Sequence, residues 1–370
     1  MRYSLTFLAL FIGVLFLWGC DSGGISSDPP GTPDPEPPSE PLRDLATSQG
    51  VTVGAAASAD PLINDSEYAA VLAREFNALT PENIMKWEPL RPGPDAFDFE
   101  AVDQMVAFAD EHDMSVRGHT LVWHQQLPAW LTDREWTREE LITVMETHIE
   151  TVVTRYEENH PGRIDRWDVV NEAISGTSRR PSLWQETIGS EYVALAFERA
   201  REVAPDADLY YNDYSIAGTG EKSDAVYDLV RQLVEDDVPI DGVGFQSHVS
   251  TDYPPPPTAN AIAENMQRYE ELGLDVAITE LDVRIPLDTE GEDGVPSEDQ
   301  LEQQADYYAR FAEVCFDAPN CSEVRTWGFT DAHSWIPNTY EDYGAALLFD
   351  ASYEPKPAYD ALARLLNREN

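Results

Sequence analysis

Lysine is almost missing from this chain: Lys86, Lys222 and Lys356 are the three in 370 residues. Arginine does not make up the deficit, because Lys and Arg together number 24 against 69 Asp and Glu, a formal net charge of −45 with an isoelectric point near 4.2. A surface that negative repels phosphate backbones and anionic headgroups, so nucleic acid is excluded as a partner and a membrane can be engaged only through a covalent anchor. Cysteine is scarce as well, at three residues, too few to staple a small fold. What the chain does have is length and 42% hydrophobic residues, enough for a substantial core. Acid excess with so little lysine suits a halophilic surface, kept hydrated in concentrated salt where screening shortens to about 3 Å at 1 M. Calcium binding and cationic substrates are the alternatives.

Residues 1–20 carry Arg2, an apolar run from Leu5 to Trp18 and small residues before Cys20, the outline of an export signal peptide rather than of a membrane span needing about 20 apolar residues. Leu17-Trp18-Gly19-Cys20 resembles a bacterial lipobox, which implies a lipoprotein lipidated at Cys20; an incidental cysteine at an ordinary cleavage site is the alternative. Residues 21–41 hold seven prolines, five acids and no Lys or Arg, and read as a disordered tether. These features place the chain at a cell surface or a periplasm-facing membrane. Removing residues 1–41 takes Arg2 and five acids from the totals, leaving 23 bases against 64 acids, so the acidity belongs to the body, residues 42–370. Within that body Cys315 and Cys321 lie six apart near the end of a predicted helix. With no His or third Cys beside them, an exported protein favours a disulfide over a metal site there.

No Pro/Gly/Ser linker divides the body, which points to one domain. Eight short apolar or β-branched runs read as strands: Val51–Ala55, Ala78–Thr80, Ser115–Leu121, Arg166–Val170, Asp208–Tyr211, Gly242–Gln246, Asp275–Thr279 and Val324–Phe329. Between and after them, helical spacing of apolar residues marks Ala101–His112, Leu141–Tyr156, Tyr192–Val203, Asp224–Leu233, Ala261–Leu272, Leu301–Phe316 and Ala358–Leu366. Strand followed by helix, repeated this often, predicts an α/β fold of the single (β/α)8 TIM-barrel type, with its chemistry at the carboxyl ends of the strands. An open doubly wound sheet fits less well, because no G-x-G-x-x-G loop follows the first strand.

The residues just past the strands are polar and aromatic: Thr80 to Asn83 with Lys86 and Trp87, Gly118 to His124, Trp167 to Ala173, Tyr210 to Tyr214, Phe245 to His248, Thr279 to Asp282, and Trp327 to Asp331 with Trp335. Four of the seven histidines, His119, His124, His248 and His333, fall in these patches. Glu172 and Glu280 end the fourth and seventh strands and can face each other across a cleft. Cleaving an acetal needs such a pair, one carboxylic acid to protonate the leaving oxygen and one carboxylate to stabilise or attack the anomeric carbon. In so acidic a chain a lone Glu after a strand is usually a solvated loop residue, and the pair gains weight from its neighbours. Asn171 offers an amide to a sugar hydroxyl, and His248 could hold Glu280 ionised. Trp87, Trp123, Trp327 and Trp335 offer flat faces for pyranose rings, although any one Trp alone is more often core.

These segments resemble family 10 of the glycoside hydrolases, the endo-β-1,4-xylanases. The carriers are FNALTPENIMKW (76–87), GHTLVWH (118–124), WDVVNEA (167–173), YYNDY (210–214), GVGFQSH (242–248), ITELDV (278–283), WGFTDAHSW (327–335) and EPKPAY (354–359), in an order that spans residues 45–366. The resemblance implies a retaining double displacement with Glu172 as acid/base and Glu280 as nucleophile. It further implies sugar contacts from Glu82, Asn83, Lys86, His119, Trp123, Asn171, Gln246, His248, Trp327 and Trp335, with Tyr214 on the leaving-group side. It implies a Cys315–Cys321 disulfide, no cofactor or metal, and a monomer acting on xylan and xylo-oligosaccharides. A β-1,4-glucanase or cellobiosidase of the same clan, and a surface glycan-binding protein without activity, are the competing readings; the presence of both glutamates speaks against the latter.

Overall fold

A computed structural model of the chain describes residues 39–287 and 294–368. The export signal, Cys20 and all but the end of the expected tether lie outside the described residues. Eight strands run parallel: β1 Thr52–Ala57, β2 Ala78–Pro81, β3 Ser115–Val122, β4 Ile164–Asn171, β5 Asp208–Asp213, β6 Gly242–Phe245, β7 Asp275–Pro286 and β8 Cys321–Thr326. Each pairs with the next, and β8 pairs back to β1, with Glu323 opposite Thr52 and Thr326 opposite Ala55, so the sheet closes into a barrel. Closure leaves no strand edge to protect and buries both faces of every strand, which is why these segments read as apolar runs rather than alternating ones.

The helices between the strands pack an apolar stripe onto the barrel. Glu298–Asp317 buries Gln304, Ala305, Tyr308, Phe311, Ala312 and Cys315, spaced three and four apart, and starts at a capping box formed by Ser297 and Gln300. Arg138–Asn159 starts at a second box, Thr137 with Glu140, three residues before the predicted Leu141. A box of this kind satisfies two orphan N–H groups with polar residues, so a search for apolar spacing begins the helix too late. The same bias hid Leu42–Gln49, Ala59–Asn64 and Ser66–Glu75, short segments, the last of them capped by the Asp65 carboxylate. A disulfide joins Cys315 on its helix to Cys321 at the start of β8. No helix among the described residues is long and apolar enough to cross a membrane.

Two strand boundaries differ from expectation where the site is built. β8 ends at Thr326 rather than Phe329, so Trp327 stands just beyond it. β7 continues to Pro286, well past Thr279, because its outer half pairs with His248–Ser250 on one side and with Tyr343–Gly344 on the other. Glu280 therefore sits within a strand, braced from both flanks, whereas Glu172 is the first residue past β4.

Near the amino ends of the strands the barrel is filled by an ionic layer. Arg117 of β3 binds Asp168 of β4 at 2.7 Å and Glu323 of β8 at 2.9 Å; Arg325 also pairs with Glu323, and Arg166 approaches it at 3.4 Å. Burial alone would raise both carboxyls, but Arg117, Arg325 and Arg166 hold Glu323 below the usual carboxylate range, and Arg117 with His119 holds Asp168 below it. This plug seals the floor beneath the site.

Candidate active site

The carboxyl ends of the strands open into a cleft of about 1090 Å³. Glu82, Asn83 and Lys86 enter it from the loop after β2, and His119 and Trp123 from β3 and beyond. Asn171 and Glu172 reach it at the end of β4, Tyr214 after β5, Gln246 and His248 after β6, Glu280 on β7, and Trp327 and Trp335 after β8. Every residue that the resemblance assigns to catalysis or sugar binding thus lines one space, whereas Trp87, read from the sequence as a face for a pyranose ring, does not. Nor does His333: it is exposed, edge-on to Tyr68 at 5.3 Å. Trp87 is buried in the core, stacked on His148 at 3.8 Å with its N–H bonded to the Leu121 carbonyl.

The two glutamates are tied together by neutral amides. Gln246 Nε2 donates to Glu172 Oε1 at 3.1 Å and to Asn171 Oδ1 at 3.0 Å. Asn212 Nδ2 donates to that same Asn171 oxygen at 3.1 Å and to Glu280 Oε1 at 2.7 Å. The Thr279 hydroxyl donates to Asn212 Oδ1 at 2.7 Å, and the Glu280 carboxylate, which only accepts, fixes which way this amide faces. Gly244 makes room for it, since a Cβ there would fall 2.2 Å from Asn212 Oδ1. The second oxygen of Glu280 meets His248 Nε2 at 3.1 Å; His248 Nδ1 meets Asp282 Oδ2 at 2.8 Å, and Trp335 Nε1 donates to the same Asp282 oxygen at 2.8 Å. Burial disfavours a charged imidazole, yet Asp282 and Glu280 outweigh it and push His248 up to about 10, so the ring is a cation at neutral pH.

Glu172 is held differently. Its backbone is left-handed, with φ at 59°, a conformation costing a non-glycine residue roughly 1 kcal/mol or more. The turn is fixed by its N–H donating to the Asn212 carbonyl at 2.8 Å and by Arg180 Nε donating to its own carbonyl at 2.7 Å. Its Oε2 has no close donor, with Arg180 Nη2 at 3.8 Å and His124 Nδ1 at 3.9 Å. Burial, together with the Arg180 charge, brings His124 down to about 4, so it stands there as a neutral ring.

The sequence model of Glycosyl hydrolase family 10 matches residues 41–365. The chain is 42% identical over 362 residues to endo-1,4-beta-xylanase B of Thermotoga neapolitana, covering 96% of this chain and 97% of that one. It is 36% identical to endo-1,4-beta-xylanase 1 of Humicola insolens, covering 89% and 75%. Among solved structures it is similar to xylanase 10B from Thermotoga petrophila RKU-1 in complex with xylobiose, with a TM-score of 0.83 and 44% identity over 90% of this chain and 98% of that one. This chain belongs to glycosyl hydrolase family 10.

On one flank of the cleft, the Lys86 ammonium of this family 10 hydrolase donates to Asn83 Oδ1 at 2.8 Å and faces the rings of Trp123 and Trp327 at 4.8 and 5.5 Å. Burial lowers the Lys86 pKa, and the carboxylates of Glu280, Glu82 and Glu172 oppose that. On the other flank, the Tyr214 hydroxyl accepts from Arg180 Nη2 at 2.9 Å, and Pro254 to Pro257 form an apolar wall. Reading the sequence alone missed Asn212, Asp282 and Arg180. Each had a faint signal: Asn212 is an asparagine inside a β-branched and aromatic strand, where asparagine is disfavoured, and Asp282 lies two residues after Glu280 on the same face. Arg180 sits in the short hairpin Ile174–Ser175 with Ser178–Arg179 and its exit, and nothing in the local sequence marks it.

Proposed function

We propose that this protein is a retaining endo-1,4-β-xylanase in which Glu172 is the acid/base and Glu280 the nucleophile. The observation that carries the assignment is the unequal support of the two carboxyls. Glu280 is gripped on both oxygens, by Asn212 and by the cationic His248, which suits an ionised group aimed at a carbon. Glu172 takes one amide donor on Oε1 and leaves Oε2 free to carry a proton.

In the first step Glu172 gives its proton to the glycosidic oxygen as the C1–O bond breaks, while a Glu280 oxygen bonds to C1 and the shortened chain leaves. In the second, Glu172 takes a proton from water, the water oxygen bonds to C1, and the bond from C1 to Glu280 breaks, restoring both residues with overall retention. Glu82, Asn83 and Lys86 are placed to bind hydroxyls on the nonreducing side beneath Trp327 and Trp335, and Tyr214 to receive the leaving chain. Linear xylan should release reducing ends, and kcat/KM on an aryl xylobioside should exceed that on the aryl cellobioside; the reverse order would make the protein a glucanase. Azide should rescue Glu172→Ala on activated aryl substrates and leave Glu280→Ala inert, while rescue of the opposite variant would exchange the roles.

The same reading has the chain exported, lipidated at Cys20 and working as a monomer at a cell surface or a periplasm-facing membrane in salty surroundings, supported by the lipobox-like tetrapeptide, the proline-rich tether and the acidic body. Replacing Cys20 by Ala should move activity from membranes to the soluble fraction. The melting temperature should hold or rise between about 0.1 and 2 M NaCl as like charges are screened.

A further inference from the structure

Cations are rare in this chain, and most that line the cleft are committed. Lys222 pairs with Asp213 at 2.7 Å, Arg180 bonds Tyr214 and faces Glu172, and Lys86 lies in the field of three carboxylates. Arg284 differs. Among the described residues no carboxylate comes within 4.0 Å of its guanidinium. Its hydrogen bond is from Nη1 to the Val249 carbonyl at 3.4 Å, and its Nε is buried without a partner. The nearby Asp252, whose carboxyl feels the Arg284 charge, is hydrogen-bonded instead by the hydroxyls of Ser250 and Tyr343. The guanidinium is held flat by the ring of Tyr340, 4.3 Å away, with Tyr343 at 5.6 Å.

The strand explains where this cation stands. Leu281, Val283 and Ile285 are buried in the core, so Glu280, Asp282 and Arg284 alternate onto the face that looks into the barrel mouth. At roughly 3.3 Å per residue Arg284 is about 13 Å outward from Glu280 along the strand. It stands at the rim of the cleft, where a substituent on a bound main chain would project, rather than at the floor where the chain is cut. Neutral hydroxyls do not call for a cation. A planar guanidinium with free N–H groups, fixed by an aromatic face, matches a carboxylate in two-pronged geometry.

We propose that Arg284 is a subsite for the carboxylate of a hexuronic-acid branch, making the enzyme selective for acidic, glucuronate-bearing xylan; the inference rests on the xylanase reading above. The test compares kcat/KM on a glucuronate-bearing xylo-oligosaccharide with kcat/KM on the same oligosaccharide after reduction of its carboxyl to the alcohol. The expected ratio favours the acid in the wild type, falls about tenfold in Arg284→Gln and falls less in Arg284→Lys, which keeps the charge but not the two-pronged geometry. Because both substrates meet the same variant, any general loss of folding or of main-chain binding cancels, and the repulsion of the anionic substrate by the protein's net charge, common to wild type and variants, drops out when their ratios are compared. An unchanged ratio in Arg284→Gln, or a wild type that does not distinguish the two oligosaccharides, overturns the proposal. Failure of the wild type to cut either substrate, or linear xylan, overturns the xylanase reading instead.

Discussion

The barrel holds carboxylates at both ends of the same strands, and the two groups are supported by different chemistry. At the floor, Glu323 is surrounded by Arg117, Arg166 and Arg325, and Asp168 is bound by Arg117 and by His119 Nδ1 at 2.8 Å. At the mouth, four residues further along β4, Glu172 meets an amide, and Glu280 meets an amide and one histidine. Guanidiniums are permanent charges, so they stabilise an anion and nothing else; the floor carboxylates are locked as ions and serve as structure. An amide N–H can donate both to a carboxylate oxygen and, more weakly, to the carbonyl of a protonated acid. The mouth can therefore let one carboxyl gain and lose a proton without losing its place.

The sharpest way to break this comparison is to make the same substitution at both ends. Glu280→Gln should lower kcat by more than about 10⁴-fold while the melting temperature stays near the wild-type value, because a neutral side chain of the same shape keeps the Asn212 contact. Glu323→Gln should do the opposite. With the buried guanidiniums of Arg117 and Arg325 deprived of this carboxylate it should cost roughly 3–5 kcal/mol, read as a fall in melting temperature of about 5–10 °C, with kcat/KM of the folded fraction largely kept. If both variants lost activity and stability together, the division between floor and mouth would be wrong.

Next in size is Gly244→Ala. Its new Cβ would collide with the Asn212 amide that holds Glu280 and Asn171, so kcat should fall about 10²-fold with a smaller change in KM. Retained activity would show that the amide chain is dispensable.

His248 supplies a smaller, pH-dependent effect. Its folded pKa of about 10 lies above an unfolded value near 6.5, so the stability it contributes is complete below about pH 6.5 and is lost as pH rises through 10. The gap in melting temperature between wild type and His248→Gln should therefore narrow from pH 6 to pH 10, and a constant gap would mean the ring is not charged.

The smallest effect belongs to a buried group with no ionic partner. His148 is fully buried against Trp87 with neither ring nitrogen bonded, and burial holds it neutral, well below its usual range. The unfolded chain binds a proton at this residue below about pH 6.5 and the folded one does not, so stability falls with pH there. His148→Phe should match the wild type near pH 7 and unfold at a lower pH in an acid titration.

Much of the site was legible because a parallel barrel turns sequence order into spatial order. Residues such as Glu82, Trp123, Glu172, Gln246 and Trp327 follow strands, and strand ends share one mouth, so polar and aromatic patches after apolar runs mark the site before any coordinate is known. What was not legible depends on pairing between distant strands. Arg117 and Glu323 lie on β3 and β8, and neither local sequence says that the other exists. The extension of β7 to Pro286 likewise comes from partners after β6 and β8, which is why Glu280 and Arg284 could not be put on one ordered face in advance.

By itself the sequence determined the alternation of strand and helix, the chemical types gathered at the strand ends, and the acidity of the body, since each is set by periodicity or composition within a short stretch of chain. Closure of the barrel decided the rest. It set which oxygen of Glu172 is left open, that Gln246, Asn171 and Asn212 together link the pair, and that the floor charges meet their partners, because a hydrogen bond of 3 Å is fixed by register across strands and not by neighbours along the chain.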